Sequence, residues 1–213
     1  MISAIKTLIA AIRQLLVPFN YLRIRYGSSK FGSKFLYDWG FPGFLTAVTI
    51  GCCTLLRIPL EVSGNATATA SLSNLLALLI AFYMAALAAV ATFGRQDIDQ
   101  LLRGGGAVLL VLNHKTMKRE PKDLSYRQFI CFLFGYLSVL ALILFLALMC
   151  FNMVWPKIEV LASGFTGWRE SLPGLEATLF VAFVLGFWQM LVISMLGIYF
   201  LTDRVHTIND PQH

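Results

Sequence analysis

Thiols are the softest metal ligands and strongest nucleophiles in this sequence, and there are four: Cys52, Cys53, Cys131 and Cys150. Redox or zinc chemistry needs thiols at short spacing, most often Cys-x-x-Cys, so that two sulfurs converge on one partner. Here two are adjacent, two are far apart, and all lie in apolar runs, which predicts inert packing residues. His114, His206 and His213 are dispersed. The acidic residues form no convergent pair of the kind that general acid–base catalysis uses. Gly104, Gly105 and Gly106 lack the Lys and Ser/Thr spacing of a phosphate loop and read as a flexible joint. Asn65-Ala66-Thr67 matches a glycosylation sequon, which matters only in a eukaryotic secretory host. These residues predict a protein that is not an enzyme and needs no cofactor or metal.

The elements that carry them are apolar. Of 213 residues 58% are hydrophobic and 13% charged, with a mean hydropathy of +0.73. Soluble proteins run at about 45–50% apolar even with Gly included. Four runs, residues 41–58, 72–93, 129–154 and 177–200, approach or exceed the roughly 20 residues that span a bilayer as helix. The expected fold is an all-α membrane protein with four transmembrane helices, an N-terminal amphipathic helix and a small cytoplasmic loop element. Five regions follow: a basic interfacial segment (1–40), a transmembrane hairpin (41–93), the loop element (94–128), a second hairpin (129–200) and a tail (201–213).

Charge orients the chain. Residues 1–40 hold six basic side chains against Asp38, and residues 94–128 hold seven basic against four acidic. The loop after the first run has only Glu61, and residues 155–176 have two basic against three acidic. The positive-inside rule puts both termini and the middle loop in the cytoplasm. The net charge of +6 is accounted for by orientation and anionic lipid, so no direct nucleic-acid contact is expected.

Within residues 1–20, Ile2, Ile5, Leu8, Ile9, Ile12, Leu15 and Leu16 share one helical face opposite Lys6, Arg13 and Gln14. The pattern fits an interfacial helix ended by Pro18 better than a signal peptide. Trp39, Phe41, Phe44, Tyr126, Phe129, Trp155, Trp168, Tyr199 and Phe200 flank the runs and read as interface anchors.

No Asp, Glu, Lys or Arg lies mid-run, which argues against proton pumps, voltage sensors and many transporters. Ala77, Ala81, Ala85 and Ala89 repeat every four residues and predict close helix packing, within the chain or between copies. Gln189 is the most polar deep residue and calls for an interhelical hydrogen bond. In the middle loop, 97–103 reads as a short helix and 107–112 (AVLLVL) as a strand or buried segment, while Ser125 fits a helix cap. A lone strand would leave edges to pair, within the subunit, with a neighbour or with a soluble protein. Arg95, Arg103, Lys115, Lys118, Arg119 and Lys122 give this loop a basic surface suited to an acidic cytosolic partner.

Two resemblances bear on function. Gly186-Phe187-Trp188-Gln189 followed by Gly197-Ile198-Tyr199 resembles the last membrane helix of polyprenyl-phosphate glycosyltransferases. That family's catalytic domain, with its carboxylates, has no counterpart here, and Ile198 stands where the family often has Glu. The layout of four spans, a basic N-terminal segment and an inward middle loop resembles the membrane subunit of the bacterial Kiwa anti-phage system. That resemblance implies an oligomeric inner-membrane sensor that holds a cytosolic DNA-binding effector. The leading expectation is therefore a non-enzymatic inner-membrane sensor or scaffold in antiviral defence, homo-oligomeric, in contact with anionic lipids and a soluble protein partner. The alternatives are a homo-oligomeric channel or depolarising pore, and an accessory subunit of a lipid-linked sugar pathway.

Overall fold

The computed structural model describes residues 2–26, 34–57, 66–92, 107–112, 119–162 and 166–207. In chain order they form α1 (Ile2–Leu15), a 3-10 helix (Val17–Arg23), β1 (Arg25–Tyr26), a π-helical segment (Leu36–Gly40), α2 (Phe41–Leu55), α3 (Ala66–Thr92), β2 (Ala107–Leu112), β3 (Arg119–Asp123), α4 (Tyr126–Ala162) and α5 (Thr166–Thr207). The chain is a multi-pass helical membrane protein. Among the described residues three helices are long and apolar enough to cross a bilayer, over Thr69–Thr92, Tyr126–Ile158 and Leu172–Thr202.

The expectation of four spans is thereby corrected to three. The helix runs on from residue 34 through the π-helical turns, but those turns carry Lys34 and Asp38, and the apolar run 41–58 itself yields only α2, 15 residues long, which at 1.5 Å per residue extends about 22 Å, short of a hydrocarbon core of about 30 Å. Its end has a local cause. Arg57 sits at φ 53°, the left-handed conformation that closes helix C-termini. The Leu56 amide donates to Cys52 O at 2.9 Å and the Arg57 amide to Thr54 O at 3.2 Å. Pro59 follows in the sequence, where a helix cannot readily continue. Before α2 the helix widens to π geometry, with the Phe41 amide donating to Leu36 O five residues back. A count of apolar residues passes over both features.

α4 begins at a reciprocal cap. The Gln128 amide donates to Ser125 Oγ at 3.3 Å, and the Ser125 amide donates to Gln128 Oε1 at 3.4 Å. This satisfies two amides at the helix start. The loop element is a sheet of order β1-β2-β3, antiparallel throughout. Arg25 pairs with Val108 and Tyr26 with Ala107, while β2 and β3 register from Val108↔Asp123 to Leu112↔Arg119. The 107–112 strand thus finds partners inside its own chain. The expected helix at 97–103 and the joint at Gly104–Gly106 lie outside the described residues.

The chain divides into two compact units: Met1–Lys34, Tyr83–Tyr136 and Gly197–His213 form the first; Phe35–Phe82 and Leu137–Leu196 form the second. The first has a core rich in aromatics, with Tyr21, Tyr83, Phe129, Phe134 and Phe200 all buried. The second buries Leu76, Leu137, Ala141, Leu148, Met190 and Ile193, while Leu78, Leu146 and Met195 stay exposed, as lipid-facing residues do.

Candidate functional site

The first unit joins an aromatic cluster to a lysine and to the sheet. Pro18 falls at the start of the 3-10 helix, where its missing N–H costs nothing. The tight turn that follows carries Phe19 and Tyr21 onto α4. The Tyr21 ring is fully buried and stacks on Tyr136 with centroids 5.2 Å apart and 24° between planes. Phe19 meets the same Tyr136 edge-on at 5.8 Å. Phe129 touches Tyr21 at 6.3 Å and Phe200 edge-on at 5.2 Å. The Tyr126 hydroxyl donates to the Phe200 carbonyl, joining the start of α4 to α5. A Cβ at Gly197 would stand 2.9 Å from Leu133 Cδ2, so a larger residue there would have to displace that side chain.

A cation closes this cluster. Lys34 Nζ lies 4.4 Å from the Tyr21 ring centroid and also donates to the Tyr21 carbonyl. A cation over an aromatic face is worth about 0.5–1 kcal/mol where exposed and about 2 where desolvated. Tyr126, Phe129 and Phe200, expected as interface anchors, are buried here, because their rings complete this core. Trp39, Phe41 and Phe44 are exposed, and Trp155 is buried.

Beside the aromatic cluster in the chain stands the sheet. Arg119 and Lys122 lie on β3, opposite Leu112 and Leu109. Arg95, Arg103, Lys115 and Lys118 lie outside the described residues, the last two in the connection from β2 to β3. The β3 sequence Arg-Glu-Pro-Lys-Asp combines charge and proline, which discourages addition of a further strand.

The second unit holds a separate polar node. Gln189 is buried and its Nε2 donates to Asp38 O at 3.1 Å. Proline favours the match. Pro42, four residues on, has no N–H to donate back to the Asp38 carbonyl. The neighbouring Trp188 Nε1 donates to Thr49 Oγ1 at 2.9 Å, and Thr46 Oγ1 donates to Pro42 O at 2.7 Å. Asp38 itself is buried. Sequence reasoning assigned it to the basic interfacial segment and missed this role; the usable signal was the spacing Asp38–Pro42.

The alanine stripe lies mostly on the surface. Ala77, Ala81 and Ala85 are exposed and Ala89 is half-buried. The buried positions of α3 are instead Leu76, Tyr83 and Val90, at heptad spacing. Cys52 and Cys150 are exposed, and Cys53 and Cys131 half-buried. Among the described residues no three His, Cys, Asp or Glu side chains gather into a possible metal site.

Protein-family models, curated proteins and solved structures were each compared with the chain, and none matches.

Proposed function

We propose that this chain is a non-enzymatic scaffold or sensor of the bacterial inner membrane whose basic cytoplasmic face recruits a soluble effector protein. The β1–β2 ladder carries this reading. It ties the basic N-terminal segment to the basic middle loop through Arg25↔Val108 and Tyr26↔Ala107, so that two distant stretches contribute to one surface. The ladder sets the N-terminal segment on the side of the middle loop, so the chain must also pass the bilayer once before α3, in the helical stretch that includes α2, although the apolar part of that stretch is shorter than a span. The positive-inside rule makes that side cytoplasmic, together with the tail after α5.

Charge is the proposed means of recruitment. Since β2 already pairs on both sides, docking does not need a strand from the partner. Arg95, Arg103, Lys115, Lys118, Arg119 and Lys122 steer an acidic surface instead. Exposed Ala77, Ala81 and Ala85 on α3 offer a close-packing face to a second copy, which supports a homo-oligomer. On α1, Leu8 and Ile9 are each 60% exposed beside exposed Lys6, which suits an anionic lipid surface. The Kiwa resemblance loses its four-span element. Its basic N-terminal segment and inward loop remain and extend the reading to antiviral defence.

Co-purification from solubilised membranes tests recruitment. Lys115→Glu with Lys118→Glu should insert and express normally yet lose most of a stoichiometric soluble partner, with the loss in wild type reproduced by high salt. Full partner recovery by the double variant at both low and high salt overturns the proposal.

A further inference from the structure

The second unit contains a cleft of about 220 Å³ between α4 and α5. Leu144 and Leu148, both buried, form its floor. Phe151 and Phe183, half-buried, form the walls, and exposed Ala147 and Ala182 form an open mouth. Spacing makes the cleft. Residues 144, 147, 148 and 151 share one face of α4, and 179, 182 and 183 share one face of α5. The two alanines leave the space that larger side chains would occupy. Just past the floor the helices close, since a Cβ at Gly186 would lie 3.0 Å from Leu144 Cδ2. Phe151 is held in place by stacking on buried Trp155, centroids 4.8 Å apart.

We propose that this cleft is an intramembrane binding site for one acyl chain of a phospholipid. Both helices are span-length and apolar over these residues, so the surrounding medium is hydrocarbon. Water finds no polar partner among the lining residues, and an empty space forfeits dispersion contacts along every wall. Apolar cavities of about 150 Å³ already take up benzene-sized molecules. A flexible chain fits this opening better than a second copy does. The cleft is flanked by exposed Leu179 and half-buried Phe151 and Phe183. Such large side chains hold another helix backbone away but let a methylene chain thread between them, whereas close helix contacts use small residues. The small-residue face for a second copy lies on α3. The acyl site stands independently of effector recruitment, and its test does not involve the effector.

The probe is a phospholipid with a diazirine midway along one acyl chain, held at trace level in phosphatidylethanolamine–phosphatidylglycerol vesicles containing the whole protein. After irradiation, peptide mass spectrometry locates the adducts. Labelling should concentrate on 144–151 and 179–183, well above that at exposed Leu78 and Phe82 of α3. Ala147→Phe with Ala182→Phe fills the cleft and should lower its labelling about tenfold, equivalent to about 1.4 kcal/mol, while α3 labelling stays constant. Lining residues labelled no more than Leu78 and Phe82 overturn the proposal. So does undiminished labelling in a filled variant that still elutes as folded protein, or crosslinking of Ala147→Cys between copies. Should the double variant misfold, the wild-type distribution and the single Ala182→Phe variant decide by the same criteria.

Discussion

The first unit is assembled from pieces far apart in sequence and held by specific ring contacts. The second is assembled from long apolar helices and held by a few directed hydrogen bonds. In the first, Tyr21 from the N-terminal segment, Phe129 from α4 and Phe200 from α5 meet in one cluster. In the second, Gln189–Asp38 and Trp188–Thr49 join α5 to the π-helical segment and α2, and much of the remaining surface faces outward as bare aliphatic side chains. Lipid gives helices no hydrophobic reason to associate, so packing and hydrogen bonds must do it. In the first unit Tyr83, Phe129, Phe134 and Phe200 lie within the apolar spans, and their rings supply directed edge and stacking contacts worth about 0.5–1.5 kcal/mol each.

The largest effect expected from this contrast is in the aromatic cluster. Phe129→Ala should cost about 3–5 kcal/mol, as large-to-small changes at buried aromatics do. Met195→Ala, 68% exposed on α5, should change thermal stability in detergent by about 0.5 kcal/mol or less. Equal effects at both positions would erase the distinction between the units.

Gln189→Leu should cost about 1–2 kcal/mol by removing the donor to the Asp38 carbonyl. Pro42→Ala restores a backbone N–H four residues on from that carbonyl. In its background Gln189→Leu should therefore cost less, and a double-mutant cycle by chemical denaturation measures the coupling. Strict additivity would mean that Pro42 does not create the need for Gln189.

A smaller gain is expected at the end of α2. Arg57→Gly relieves a left-handed backbone and should raise stability by about 1 kcal/mol. Destabilisation there would show that the Arg57 side chain matters more than its φ. Smallest for the single chain should be Ala81→Leu with Ala85→Leu. Both positions are exposed, so the fold should tolerate the change while native mass falls toward the monomer through overpacking between copies. Native mass spectrometry reads this directly, and an unchanged mass would remove α3 as the self-association face.

Hydropathy made the three long helices legible, because some twenty apolar residues in succession admit few other structures. It overreached at 41–58. There the deciding features were the turn at Arg57 and the proline behind it, which a hydropathy window averages away. Ser125 was legible as a cap from residue type alone. The aromatic core was not. Tyr126, Phe129 and Phe200 have the composition and position of interface anchors, and only the 3-10 turn that delivers Tyr21 distinguishes a core from a belt. Gln189 was legible as needing a partner, while Asp38 as that partner required following the missing N–H of Pro42 back to the carbonyl it leaves to others. The sheet was half legible: AVLLVL reads as a strand, but two residues at Arg25–Tyr26 carry too little pattern to identify β1.

That last pairing is the central claim, because it makes one element of the N-terminal segment and the middle loop, which the proposed reading places in the cytoplasm. Arg25→Cys with Val108→Cys, in a chain without the four native cysteines, tests it in intact membranes. Facing residues of an antiparallel pair have Cα atoms about 4.5–5.5 Å apart, within disulfide reach. Mild oxidation should join the pair nearly completely and leave Arg25→Cys with Leu112→Cys unjoined, with both thiols reached by impermeant reagent only from the cytoplasmic side of inverted vesicles. Free thiols at 25 and 108 after oxidation, or their labelling from opposite sides of the membrane, would contradict the account.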